Sequence, residues 1–305
     1  STVLLHALAA RTGGARWHAV HVHHGLQPAA EAWPAHCEAL ARGLGAGFSA
    51  ARVAIAAEGP QGLEARAREA RYQALHAQAA TLGVDCLVTA HHADDQAETV
   101  LLRLARGAGL TGAGAIAERV RVAGVWRLRP LLAVPRPVLR RYAELEGLRW
   151  VEDPSNRRLD HTRNRLRATV LPALAEAIPA AVSNLGRAAE LAREAQLVLD
   201  EVAQADLAAA RREDPVRGGW RARSVGTGVV REAAAATRAG GGCAGGPDAE
   251  AGTPAPAHPA PAWLDRGVLA GLSPARQRLC LRAWLTGQGL QAPSLAVTRE
   301  LQRQL

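Results

Sequence analysis

The sequence contains neither lysine nor methionine. Its 37 basic side chains other than histidine are therefore all arginine, set against 28 Asp and Glu, which leaves a net charge of +9 over 305 residues. An excess of that size points to an acidic partner such as nucleic acid. Ala, Arg and Gly dominate throughout, so compositional bias accounts for part of the excess and a single arginine says little. Without methionine there is no initiator: either it has been removed or the chain begins inside a longer protein. Cysteine is scarce. Cys37, Cys86, Cys243 and Cys280 are scattered and form no CxxC pair, which excludes a disulfide scaffold and a cysteine-based zinc or iron–sulfur site and fits a reducing cytoplasm. No signal peptide is present and no apolar run is long enough to cross a bilayer, so no membrane is expected. Seven Trp, two Tyr and one Phe are too few for a platform that stacks single-stranded nucleic acid.

What is there is an alternation of strand and helix patterns. Residues 2–10 are apolar and helical in spacing, 17–23 alternate as a strand, and 31–44 return to helical spacing. A short strand is expected at 51–57 and a long Ala/Arg/Glu helix at 63–82. A buried strand follows at 86–90 and a helix at 98–105. Such alternation predicts an α/β fold: a parallel sheet with helices on both faces, and ligands bound beyond the carboxyl ends of the strands.

Three clusters fall at positions that matter in such a fold. After the run Leu87–Ala90 come His91, His92, Asp94, Asp95 and Glu98. Asp94 and Glu98 are four apart, which a helix places on one face, with Val100, Leu101 and Leu104 on the buried side. Any one of these acids can serve as a cap, worth a few tenths to about 1 kcal/mol against the helix dipole; five polar groups exceed what a cap requires. A metal cluster is the second functional reading, but it lacks a helical His-x-x-x-His pair and a distant third ligand. The stretch "VHVHHGLQP" puts His21 and His23 on one strand face and His24 in the turn before Gly25, at a second strand end. In "GLEARAREARY", Glu64, Arg68, Arg71 and Tyr72 line one helical face; taken alone, that is a salt-bridged surface.

The stretches "AVHVHHGLQPAAEAW", "LEARAREARY", "TAHHADDQAETVLLRLARGAGLTG", "RPLL" and "WVEDPSNRRLDHTRNRLRATVLPAL" occur in this order. Together they resemble the tRNA(Ile)-lysidine synthases, within the N-type ATP pyrophosphatase (PP-loop) superfamily. The HHxDDQxET and EDPSNxxxxxxRNxxR blocks are specific; the arginine helix alone is not. The resemblance covers residues 1–190 and resumes at 263–294. It implies an adenine-nucleotide alpha-hydrolase-like (Rossmann-like) sheet followed by a smaller helical domain. It also implies a ligase reaction, in which ATP, with Mg2+, activates the C2 carbonyl of the wobble cytidine of the CAU-anticodon isoleucine tRNA. Diphosphate leaves as the cytidine is adenylated; the amine of free L-lysine then attacks, releasing AMP and leaving lysidine. On that resemblance Asp95, Glu98 and Arg71 would receive lysine, whose ammonium suits carboxylates. His91 and Asp94 would order the site. Arg71, Arg163 and Arg167 would bind phosphate or the charge on departing AMP through forked donors. Ser1, His24, Asn164 and Arg167 would contact nucleotide, with Asn164 alternatively holding a loop. The attacking amine must be neutral, so a base is needed nearby.

The family opens with a strand and a Ser-Gly-Gly-x-Asp-Ser loop whose amides cradle pyrophosphate. This chain starts with "STVLLHAL", so Ser1 matches the last serine of that loop. The expectation is a truncated enzyme that binds ATP poorly. Two alternatives stand beside it. One is another PP-loop enzyme, such as a tRNA thiolase, which usually needs the paired cysteines missing here, or an amidotransferase synthetase. The other is a basic tRNA-binding remnant without catalysis. The expected organisation is a catalytic domain at 1–165, a helical region at 166–223 and a Gly/Ala/Pro-rich linker at 224–262. A helical tRNA- or substrate-binding domain follows at 263–305.

Overall fold

The elements follow the hydrophobic pattern, and where they depart from it a local cause can be named. The computed structural model describes residues 1–11, 17–25, 28–55, 62–212, 219–220, 263–288, 290 and 293–305; the expected linker at 224–262 lies outside them. The described residues fall into two compact units, Ser1–Glu190 and those from Leu191 onward.

In the first unit, α1 (Thr2–Arg11), β1 (His18–His23), α2 (Trp33–Gly43), β2 (Gly47–Arg52), α3 (Leu63–Leu82) and β3 (Cys86–Val88) alternate. β1 and β2 run parallel, with His18 opposite Gly47 and His23 opposite Arg52. α2 packs on both of these strands, and α3 packs on β1 and β3. β2 lies earlier than the strand expected at 51–57, because the chain turns at Gly45, whose φ of 70° is left-handed, and enters the strand at once. A Cβ at Gly47 would stand 2.5 Å from Nδ1 of His18, so that side chain would have to move to admit one. α3 matches its expected range and ends at Gly83 in the αL conformation, as a glycine cap allows.

After β3 come α4 (Ala93–Ala105), α5 (Leu110–Ala113), β4 (Arg119–Val122), β5 (Val125–Leu128) and α6 (Arg136–Leu145). β5 runs parallel to β3, but β4 returns antiparallel to β5, so the second sheet is mixed. The cause is the turn between them. Ala123 and Gly124 both have positive φ, 49° and 83°, as a two-residue hairpin connection demands. α4 starts five residues before the helix expected at 98–105. Its Val100 is buried as expected, but Leu104 is 50% exposed and does not belong to the buried side. Val100, Ala115 and Ala189 form a small core, with Leu185 packed against it.

From Thr162 the chain is helical to Ala177: α7 (Thr162–Arg165), a π-helical turn at Leu166–Val170, and α8 (Leu171–Ala177). α9 (Ala181–Ala210) follows. No single helix among the described residues is long and apolar enough to cross a membrane.

The second unit is built on Leu207, Leu264, Leu269, Leu281, Trp284 and Leu301. Residues 263–288 are not helical throughout, as their spacing suggested. Trp263–Asp265 is a strand that pairs antiparallel with Arg211–Arg212 and with Gly219–Trp220. The side chain of Asp265 then accepts the N–H groups of Gly267 and Val268 and starts the helix Arg266–Ala270. Helices Pro274–Gly287 and Leu295–Arg303 complete this unit.

Candidate active site

The chemistry gathers where β3 ends and α4 begins. α4 starts at Ala93 because His92 caps it. Nδ1 of His92 accepts the N–H of Asp95 at 3.4 Å, and the Asp95 carboxylate accepts the N–H of His92 at 3.0 Å. That is a reciprocal capping box with histidine in the place of the usual Ser or Thr. The N–H of Ala93 bonds the carbonyl of Val134 at 3.0 Å. The Asp94 carboxylate accepts the N–H of Arg136 at 2.8 Å, at the first residue of α6. One acid therefore joins the starts of two helices, and the five-group cluster divides between separate tasks.

Asp95 and Glu98 face a different partner. Arg167, on the π-helical turn, donates from Nε to Oε1 of Glu98 at 2.6 Å and from Nη2 to Oε2 at 3.0 Å. The same Nη2 reaches Oδ1 of Asp95 at 3.2 Å. The acids that share a partner are thus Asp95 and Glu98, three residues apart, while Asp94, four before Glu98, points to α6. Glu98 is fully enclosed, and Asp95 and Arg167 have side chains 19% and 26% exposed. Burial raises the pKa of Glu98 above the usual carboxylate range, with the Arg167 hydrogen bond and charge acting against it. Arg167 is partly desolvated too, yet its bonds and charge contacts with Glu98 and Asp95 hold it more firmly in the charged form.

His91 lies on the opposite side of the charge balance. A hydrogen bond of 3.0 Å joins its Nδ1 to Oγ1 of Thr89. Burial, with Arg68, Arg129, Arg71 and Arg163 around it, drives its pKa down to about 2. A histidine that is neutral across the working range can donate or accept a hydrogen bond but does not supply a proton. Burial and Arg71 also lower the pKa of His24, so Arg71 acts on both histidines. The guanidinium groups of Arg68 and Arg71 lie 5.2 and 5.4 Å from the centre of the Tyr72 ring, and that of Arg127 lies 3.8 Å from it, within cation–π range. Arg163 comes within 3.8 Å of Glu64. Ser1 immediately precedes α1.

Asn164 holds a loop. Its Nδ2 donates to the carbonyls of Ser155 and Arg158, both at 2.8 Å, and Asp153 caps the same turn by accepting the N–H of Ser155 at 2.8 Å. Beside that loop a cleft of about 450 Å³ opens, with Arg167 in its wall along with Arg136, Arg140, Asn156, Leu159 and Asn164.

The structure thus brings Asp95, Glu98 and Arg167 into direct contact. Asp94 stands beside them, and His91, His24, Arg71 and Arg163 share one electrostatic environment. Sequence reasoning missed Arg136, Arg140, Leu159 and the buried Arg127 and Arg129. The only signal for the last two was alternation, which puts residues 127 and 129 on one face of a strand. Among the described residues no group of three or more His, Cys, Asp or Glu is arranged to hold a metal.

A family described as a PP-loop domain matches residues 1–174. The chain belongs to the PP-loop family. A second description, TilS substrate binding domain, matches residues 264–305. ATP binding goes with membership of the PP-loop family. Several relatives carry the name tRNA(Ile)-lysidine synthase. One from Burkholderia mallei is 51% identical over 216 residues, which is 70% of this chain and 44% of that protein. One from Ralstonia nicotianae is 41% identical over 100% of this chain and 56% of its own length. One from Pseudomonas aeruginosa is 41% identical over 96% of this chain and 58% of its own. The chain spans about half the length of these curated relatives. Among solved structures, the U34-tRNA thiolase NcsA from Methanococcus maripaludis superposes with a TM-score of 0.55 at 15% identity. It covers 63% of this PP-loop chain and 69% of the thiolase, a likeness of fold.

Proposed function

We propose that the protein ligates L-lysine to C2 of the wobble cytidine in the CAU-anticodon isoleucine tRNA, at the expense of ATP, the reaction that its resemblance to tRNA(Ile)-lysidine synthases implies. The observation that carries this reading is the breadth of the likeness: 41% identity along the whole chain to a protein of that name. Both the PP-loop domain and the TilS substrate binding domain are matched as well. The site suits the reaction. ATP, when bound, supplies the adenylyl group that makes C2 of the cytidine open to attack. Arg71 and Arg163 offer planar donors to charge that develops on phosphate, and neutral His91 orders them without adding a competing charge.

Asp95 and Glu98 serve the lysine amine. It must shed a proton before it attacks, and a carboxylate whose pKa burial has raised accepts a proton more readily. Arg167 already engages both acids, so the amine has to share them with it. Mg2+ would arrive with the phosphates, which need only one or two protein carboxylates to hold it. We assign catalysis to residues 1–165 and tRNA binding to 263–305, and the setting in which ATP, lysine and tRNA meet is the cytoplasm. The test is direct. Incubated with the tRNA transcript, ATP and labelled lysine, the protein completed to its relatives' length releases AMP and transfers label to that one cytidine. Label that stays free, with intact tRNA and folded protein, rejects the reading.

A further inference from the structure

From the cleft beside Arg167 we infer that it is the seat of one nucleotide of the RNA substrate, its phosphate held by Arg136 and Arg140 and its base laid over Leu159. The inference rests on the proposed reading that the substrate is a tRNA.

Arg136 and Arg140 are one turn apart on α6, so their side chains project from the same face, and both line the cleft. Arg136 has no ion-pair partner for its guanidinium among the described residues. Asp94 takes only its backbone N–H, which fixes the start of the helix and leaves the side chain for other work. Arg140 has one exposed, one-turn contact with Glu144 at 3.4 Å, a kind of pair worth little. Two forked guanidinium groups at this spacing suit a phosphodiester. Glu152 and Asp153 line the same cleft and repel an anion, which leaves the α6 side for the phosphate.

Among the described residues that line the cleft, Leu159 is the one large apolar side chain. Leu159 is 51% exposed and sits in an otherwise polar cleft. About half of that leucine is open to solvent, and the flat face of a base would cover it. Asn156 and Asn164 carry amides that can pair with a base edge. Arg167 lines the cleft too. Its Nε and Nη2 are committed to Glu98 and Asp95, while Nη1 makes no hydrogen bond among the described residues and remains a donor. At about 450 Å³ the cleft falls in the usual range for small-molecule and cofactor sites, about 300–1,000 Å³. Its open form suits a base splayed from a single-stranded loop, the form in which RNA sequence is read.

Binding of an RNA hairpin with a CAU loop, followed by fluorescence anisotropy across a salt series, tests this. Both arginines and Leu159 are exposed, so Arg136→Gln/Arg140→Gln and Leu159→Ala should fold; far-ultraviolet circular dichroism checks that. The double variant is expected to bind more weakly at low salt, and its slope of log affinity against log salt should fall by about 1.4, roughly 0.7 for each single-strand phosphate that an arginine no longer neutralises. Leu159→Ala is expected to weaken binding several-fold with the slope unchanged, because stacking carries no counterions. Variants that bind the hairpin as the parent does, with the same slope, overturn the cleft as a nucleotide seat and leave the reading as a tRNA ligase standing. Unchanged hairpin binding with a raised lysine requirement assigns the cleft to the amino acid and overturns the inference. A parent chain that does not bind the hairpin at all overturns both the inference and the reading beneath it.

Discussion

Arg167 grips Glu98 with two donors, at 2.6 and 3.0 Å, from 69 residues further along the chain. The carboxylate is fully enclosed and the guanidinium three-quarters so. This pair, with Asp95 attached to it, ties the π-helical turn Leu166–Val170 to the start of α4.

Breaking such a pair from one side leaves a buried charge without its partner. Arg167→Leu is expected to destabilise the first unit by about 3 kcal/mol, the lower end of the usual range for buried pairs because the guanidinium keeps some access to water. Arg167→Lys retains the charge but not the fork, so its loss should be smaller. Urea unfolding of the three proteins measures this, and equal stability of parent and leucine variant would show that the fork contributes nothing.

His91 sets a pH dependence. Its pKa of about 2 in the folded protein is far below the ordinary value of about 6.5. The unfolded chain therefore binds a proton that the native state refuses. The stability this neutral form contributes is complete above about pH 6.5 and is lost as pH falls toward the folded value. His91→Asn should be the less pH-sensitive protein between about pH 6 and 5, by up to about 1.4 kcal/mol per pH unit for one proton. The other histidines lowered by burial remain in both proteins, so the difference between the two reads His91 alone. Identical slopes would mean that His91 is protonated in the native state.

In the second unit, Cys280 is fully buried in the core. Burial, with Asp206 adding to it, pushes its thiol up to about 12. The thiolate is the reactive form. Alkylation of Cys280 under native conditions should therefore proceed only as fast as this unit opens, and mass spectrometry of timed samples will give that rate. Labelling at the speed of an exposed thiol, with circular dichroism unchanged, would contradict the packing described.

Parts of this architecture could be read from residues alone. α3 was legible because a stretch rich in Ala, Arg and Glu, with no Gly or Pro inside it, ends at Gly83. The β4–β5 hairpin was not: its turn is Ala123–Gly124, with alanine where asparagine would have signalled the left-handed pair, and Arg119 and Arg121 disguise the strand. The start of α4 was misjudged because histidine is not an expected cap. Asp265 hid a strand in front of a helix, since Trp263–Asp265 is too short to show alternation. The site divided in the same way. Spacing could suggest that neighbouring acids share a helix face, but no local pattern joins Glu98 to Arg167. The resemblance of the HHxDDQxET and EDPSNxxxxxxRNxxR blocks to those of a family brought both residues to the site but gave Glu98 to lysine and Arg167 to nucleotide; their pairing is a finding of the structure.

The remaining prediction separates lysine from ATP. If Asp95 and Glu98 receive the amine, removing a charge there should affect the amino acid and spare the nucleotide, whose phosphates we propose meet Arg71 and Arg163. In protein completed to its relatives' length, Glu98→Gln keeps the shape of the side chain and loses its charge. The lysine KM should rise by about tenfold or more, corresponding to about 1.4 kcal/mol or more of weakened interaction, while the ATP KM stays close to that of the parent. Glu98 also anchors Arg167, so its variant carries a stability cost that blurs the result. Asp95→Asn provides the cleaner case. Its side chain can still accept the N–H of His92, which preserves the helix cap, and it gives up only a single 3.2 Å bond to Arg167. Steady-state assays run well below the melting temperature of each variant, with lysine and ATP varied in turn, decide the matter. A lysine KM unchanged in both variants, or an ATP KM that rises in step with it, would remove the two acids from the lysine site and leave them as the anchor of Arg167.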